Sequence, residues 1–236
     1  MTLEDKNQND IINSELINSY NNRYVFSDKP INRLKTKPKI ENKSILLDIL
    51  KSEIENIKNC ELKASANKLV FNDGDNQSKI MIVGEGPGQK EDEIGKPFVG
   101  DAGSLLNKML KAINIERNKV YITNVVNYRP PNNRKPETAE ISRYSHFLRE
   151  HISIIKPKIL LLFGNVASKS LLKLEYGITK NHGKWFNYQS SFSKQKILTM
   201  CIFHPSYLLR SPKMKGVAWE DLKKVKGKIK DLKILL

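Results

Sequence analysis

The chain has 236 residues, a length that holds one well-buried core with some residues to spare. Its formal charge of +16, from 41 Lys and Arg against 25 Asp and Glu, favours a polyanionic partner, with a codon bias toward Lys, Asn and Ile as the competing source of that charge. Two cysteines, Cys60 and Cys201, exclude a disulfide framework and fit a reducing compartment; without a leader-like N-terminus or a membrane-length apolar run, the expectation is a soluble, cytoplasmic, nucleoid-associated monomer.

Residues 1–42 are polar, rich in Asn and Lys and punctuated by Pro30 and Pro38, and read as an extension or linker. The catalytic domain is expected over 43–236. Ser44 is a candidate N-cap, and Leu46, Leu50, Ile54 and Ile57 recur at helical spacing to about Asn59. The short β-branched run 80–83, stopped by glycine, predicts a buried strand. A long loop over 84–103, with six glycines and two prolines, leads to a helix over 105–113. Strands follow at 120–126, 159–163 and 197–203, with helices at 138–155, 165–174 and 219–235. Alternating strands and helices imply an α/β fold, a three-layer αβα arrangement around a mostly parallel four-stranded sheet.

In such a sheet the carboxyl ends of the strands converge on one crevice. Glu85 follows the first strand, Asn124 lies at the second and His204 follows the last. The glycine loop is not a nucleotide loop: its spacing is wrong, Pro87 removes an N–H, and no Gly-Lys-Ser/Thr ending follows. Phe98, held between Lys96-Pro97 and Gly100, is either core filling or a stacking platform for a planar base. Asn124 offers an acceptor beside a donor, which matches the N3–H and O4 edge of uracil and opposes that of cytosine. His204 is a hydrogen-bond donor for an oxygen that turns negative when a base leaves. Pro205 to Ser211 reads as a loop whose apolar groups and cation press into a duplex around a flipped base. Eight lysines between Lys213 and Lys233, against three acids, are either a solvated helix face or a phosphate contact.

Three blocks carry a resemblance. Gly84-Glu85-Gly86-Pro87-Gly88 with Glu91-Asp92 and Gly95 to Gly100 is the first. Thr123 to Val126 followed by Arg129 to Pro136 is the second, and His204 to Arg210 is the third. In that order they resemble the family 4 uracil-DNA glycosylases, over about Cys60 to Leu222. The resemblance implies hydrolysis of the N-glycosidic bond of uracil in single- or double-stranded DNA, by an oxocarbenium-like route. It implies Glu85, Asn124 and His204 as catalytic residues, with Glu85 a water activator by hypothesis. Gly86, Pro87, Gly88, Phe98 and Asn124 would bind uracil; Arg134, Ser206, Tyr207, Leu208, Leu209 and Arg210 would touch DNA. Two other readings stay open: a glycosylase of other deaminated or mismatched bases, and an inactive DNA-binding homologue.

The family usually holds a 4Fe-4S cluster on four cysteines. Carried over by position, those places fall on Ile57, Cys60, Tyr128 and Tyr144. Isoleucine cannot ligate iron and thiolates are the usual ligands. The expectation is a chain without cofactor or metal, in which these four residues pack together.

Overall fold

A computed structural model gives the fold and describes residues 42–172, 174–189 and 196–235. These residues belong to one compact unit, Ile40–Leu236. The expected polar extension lies outside the described residues, apart from Asn42.

The sheet has six strands: β1 (Asp73–Gly74), β2 (Ile80–Gly84), β3 (Tyr121–Asn124), β4 (Ile159–Phe163), β5 (Trp185–Gln189) and β6 (Lys196–Ile202). Their order is β1-β3-β2-β4-β6-β5. The four central strands, β3, β2, β4 and β6, run parallel, as expected. The two edge strands are additions, each antiparallel to its neighbour. β1 is only two residues long and contains a glycine, too little for a period to show. β5 is edge-exposed, with Tyr188 its one fully buried residue, so it carries no clear inward face.

The helices are α1 (Lys43–Glu55), α2 (Glu61–Ser65), α3 (Gln89–Ile94), α4 (Asp101–Ala112) and α5 (Thr138–Ile155). They continue with α6 (Asn165–Leu171), α7 (Ile178–Asn181), α8 (Pro205–Arg210) and α9 (Lys215–Asp231). Alternation along the strands splits the core in two, because successive strand side chains face opposite ways. Met81, Val83, Leu160 and Leu162 pack with Leu50 and Ile54 of α1 and Leu148 and Ile152 of α5. Ile80, Ile82, Leu161 and Phe163 pack with Leu106 and Leu110 of α4 and Leu222 and Val225 of α9. The three-layer αβα arrangement follows directly.

Three local readings are corrected. The cap of α1 is Asn42, whose side chain accepts from the Ser44 N–H, so Ser44 is inside the helix. The segment 84–103 is not loop throughout, since it encloses α3. The segment after His204 is the helix α8, not a loop: Pro205 takes the first helical position, where its missing N–H costs nothing, and the His204 ring caps it.

His151 of α5 is a buried titratable group in the core. Its Nδ1 lies 2.8 Å from Tyr121 Oη, its ring leans on Phe71, and Nε2 has no partner among the described residues. Burial holds this imidazole neutral down to about 3. The unfolded chain protonates a histidine near ~6.5. Stability is therefore complete above that value and is lost as pH falls toward the folded value, by at most ~1.4 kcal/mol per pH unit for this group. The urea midpoint should fall through this window, and His151→Phe should flatten the fall. An equal slope in the variant would contradict the assignment.

Candidate active site

The carboxyl ends of β2, β3, β4 and β6 open into one cavity of about 580 Å³. Each strand delivers a polar or turning residue to it. β2 leads into Glu85 to Gly88, β3 ends on Asn124, β4 leads into Gly164 and Asn165, and β6 leads into Phe203 and His204. The mouth is bordered by Pro130 and by Asn133 to Pro136 on one side. Ile178, Thr179, Ser206, Tyr207 and Arg210 also line it.

Gly84 lets the floor of this cavity form. A Cβ there would lie 2.4 Å from Asn124 Oδ1 and 2.6 Å from the Phe98 ring, closer than real atoms approach. With hydrogen in that place, the aromatic and the amide meet beside the strand end. Phe98 meets Phe163 edge-on with centroids 6.5 Å apart, and His204 at 5.6 Å and a 30° tilt. Asn124 is buried, and its Nδ2 has no hydrogen-bond partner among the described residues. A buried unpaired amide donor costs free energy unless something binds it.

His204 is fixed by its own helix. The Ser206 backbone N–H donates to Nδ1 at 3.2 Å, and Ser206 Oγ lies 2.7 Å from the same nitrogen. A backbone N–H can only donate, so Nδ1 is the acceptor and the neutral ring carries its proton on Nε2. Burial, with the nearby Arg210 charge second, lowers the His204 pKa to about 4. The segment before it is braced by His182, whose ring stacks on Phe203 at 4.5 Å and whose Nδ1 meets Asp221 Oδ2 at 2.8 Å. Burial raises the Glu85 pKa; Lys135 and Arg210 pull it back down.

Most residues singled out from the sequence line the cavity: Glu85, Gly86, Pro87, Gly88, Phe98, Asn124, Arg134, His204, Ser206, Tyr207 and Arg210. Two do not. Leu209 is 41% exposed outside it, and Leu208 is 1% exposed and faces the core, so Leu208 is no surface contact. A helix over 205–210 turns neighbouring side chains apart, where a loop would present both. Sequence reasoning missed Gly164, Asn165, Lys135, Ile178 and Thr179. Gly164 had a usable signal: it follows the third parallel strand where Glu85 and His204 follow theirs, and its φ of 93° brings it against the His204 side chain.

The uracil DNA glycosylase superfamily model matches residues 71–223, which include every one of these cavity elements. The chain belongs to that superfamily. Its likeness within it is to type-4 enzymes. It is 39% identical over 185 residues to a type-4 uracil-DNA glycosylase of Sulfurisphaera tokodaii, covering 76% of this chain and 83% of that one. A type-4 uracil-DNA glycosylase of Thermotoga maritima is 38% identical over 188 residues, covering 78% of this chain and 95% of that one. A type-5 enzyme of Pyrobaculum aerophilum matches less, 30% over 131 residues.

The comparison corrects the expectation of a cofactor-free chain. The type-4 relatives are iron–sulfur enzymes, so the replaced cysteines alone do not establish a chain without a cluster. The residues at the four carried-over positions have a clear arrangement. Ile57, Cys60, Tyr128 and Tyr144 share the core on the α1–α5 face, with Cys60 Sγ 3.2 Å from Tyr144 Oη. Burial pushes both phenols up, Tyr144 well above its ordinary value; the Cys60 hydrogen bond adds to the shift at Tyr144, and the charges of Glu55 and Cys60 add to it at Tyr128. Four thiolates hold a 4Fe-4S cluster, whereas this set supplies one thiol, so these residues do not fit it. No step below is routed through a cluster. Among the described residues no three His, Cys, Asp or Glu side chains gather as metal ligands. Among them, too, no helix is long and apolar enough to cross a membrane.

The histidine assignment is checked without any assay of activity. Long-range nitrogen–proton NMR spectra should show His204 as the Nε2–H tautomer, staying neutral until the pH approaches 4. A ring that titrates near ~6.5, the ordinary histidine value, would contradict it.

Proposed function

We propose that this chain hydrolyses the N-glycosidic bond of uracil in DNA, releases the base and leaves an abasic site. The observation that carries this reading is the buried Asn124 Nδ2, unpartnered among the described residues, with the Phe98 ring close by. A planar base on that ring satisfies the amide if it presents an acceptor next to a donor. Uracil does so with O4 and N3–H, and cytosine presents the reverse. The base must leave the stack to reach this depth, so the substrate nucleotide is flipped into the cavity. Lys135 and Arg210, which line the cavity, are suited to the phosphates of the strand, with Arg134 beside them held by Glu140.

The chemistry follows from the two polar strand ends. The neutral His204 ring donates from Nε2 to the uracil oxygen that gains charge as the bond breaks. A neutral donor of this kind needs no proton transfer. Glu85 orients the attacking water and faces the cationic sugar, a role a carboxylate fills only when ionised. The cavity is lined from one chain, which fits action as a monomer; single- or double-stranded DNA in the cytoplasm is part of the same proposal.

Oligonucleotides with one uracil, hypoxanthine or mismatched thymine test the reading together. Uracil should be released from single and double strands, and the strand should break only after alkali. Scission without alkali would contradict the monofunctional reaction, and tight binding without release would favour an inactive homologue. Asn124→Ala and His204→Ala should each slow the single-turnover rate by about 100- to 1000-fold, the usual effect of removing one such donor. Unchanged rates would remove those roles.

The pH profile separates the two catalytic groups. Glu85 must be ionised and its pKa is raised, so kcat/KM should fall with acid above the ordinary carboxylate range. His204 stays neutral until about 4 and adds no limb above that. Glu85→Gln should lower the rate and remove the limb. A limb near ~6.5 that survives in Glu85→Gln would contradict this division of labour.

A further inference from the structure

Phe98 has a φ of 52°, in the left-handed region that residues with a Cβ rarely enter. Such a conformation persists only where its surroundings impose it. Two side chains grip the peptides on either side of it. Glu91 of α3 accepts from the Val99 and Gly100 N–H groups, each at 2.8 Å, through Oε1. Its other oxygen accepts from the Gly88 N–H at 3.2 Å, tying the same carboxylate to the loop that carries Glu85.

Arg117 takes the carbonyls. Nη2 donates to Pro97 O at 2.6 Å and Nη1 to Phe98 O at 3.0 Å. The guanidinium is itself held, by Asp73 through Nε at 2.7 Å and by Asn107 Oδ1 at 3.0 Å. Gly103 completes the clamp, since a Cβ there would lie 1.9 Å from Phe98 O. Glu91 lines the cavity, whereas Arg117 does not.

We propose that Glu91 and Arg117 are positioning residues for the base: they impose the left-handed turn at Phe98 and so set the ring against which uracil stacks. The proposal rests on the reading of Phe98 as that stacking floor. A planar fork suits this task, because the carbonyls of two successive residues are met by one rigid guanidinium. An ammonium meets only one of them in fixed geometry.

The test is a double-mutant cycle read by inhibition with free uracil, with the half-saturating concentration of a uracil oligonucleotide and thermal unfolding measured beside it. Arg117→Lys keeps a cation for Asp73, and Glu91→Gln keeps the side-chain shape, so a folded protein is available from at least one of them. Each should weaken uracil inhibition by about tenfold or more while unfolding stays cooperative. In a Phe98→Ala background the same changes should shift it less than about twofold, because no ring is left to place. Equal effects in both backgrounds would overturn the proposal and leave Glu91 and Arg117 as supports of loop stability. If Phe98→Ala alone leaves uracil inhibition unchanged, the stacking floor itself is refuted, and the proposal with it. Phe98→Ala weakening inhibition while Arg117→Lys and Glu91→Gln do not would overturn the positioning role alone.

Discussion

At the end of β2 the structure depends on a missing methyl group. Gly84 faces Asn124 across the β2–β3 pairing, and the Phe98 ring closes over it. Any side chain there would clash with the amide and the aromatic, and the cavity would lose the surface proposed to fit one base edge. Neighbouring elements serve that juxtaposition. The parallel register of β2 with β3 sets the height of Asn124, and Glu91 and Arg117 hydrogen-bond the peptides on either side of Phe98. The edge-to-face contact with Phe163 at the end of β4 holds the ring from below.

A second constraint is electrostatic. In the proposed reaction two ionisable groups, Glu85 and His204, flank the bond that breaks, and burial acts on both. It keeps His204 uncharged and makes ionisation of Glu85 harder. A charged histidine would attract the leaving anion more strongly, but a buried cation beside Arg210 is expensive. The helix α8 resolves this by using Nδ1 as its cap, which commits the remaining nitrogen to donation. In the proposed reaction, local helix formation and leaving-group stabilisation thus share one hydrogen-bond arrangement.

The parallel core was legible because β2, β4 and β6 are short apolar runs cut off by glycine or by polar residues, and their ends announce the crevice. Glu85, Asn124 and His204 could be placed from that topology alone. The edge strands were not legible: two residues make no period, and an edge strand shows no buried face. The helix α3 was hidden among glycines, and with it the work of Glu91, whose charge reads as surface until its three backbone donors are seen. Leu208 was misplaced because His-Pro-Ser looks like a turn unless the ring is recognised as a cap. The cysteine positions allowed the Ile57, Cys60, Tyr128 and Tyr144 grouping to be foreseen, but the inference from it to a cofactor-free chain did not survive comparison with iron–sulfur relatives.

The central claim is that an amide donor without a partner, next to an aromatic floor, selects uracil. The side-chain NH₂ resonances of Asn124 report on it directly. Titration with free uracil should shift these resonances downfield and slow their exchange, as the Nδ2 group gains the O4 acceptor. Cytosine at equal concentration should leave them in place. A shift of equal size with cytosine, or none with uracil, would contradict the account.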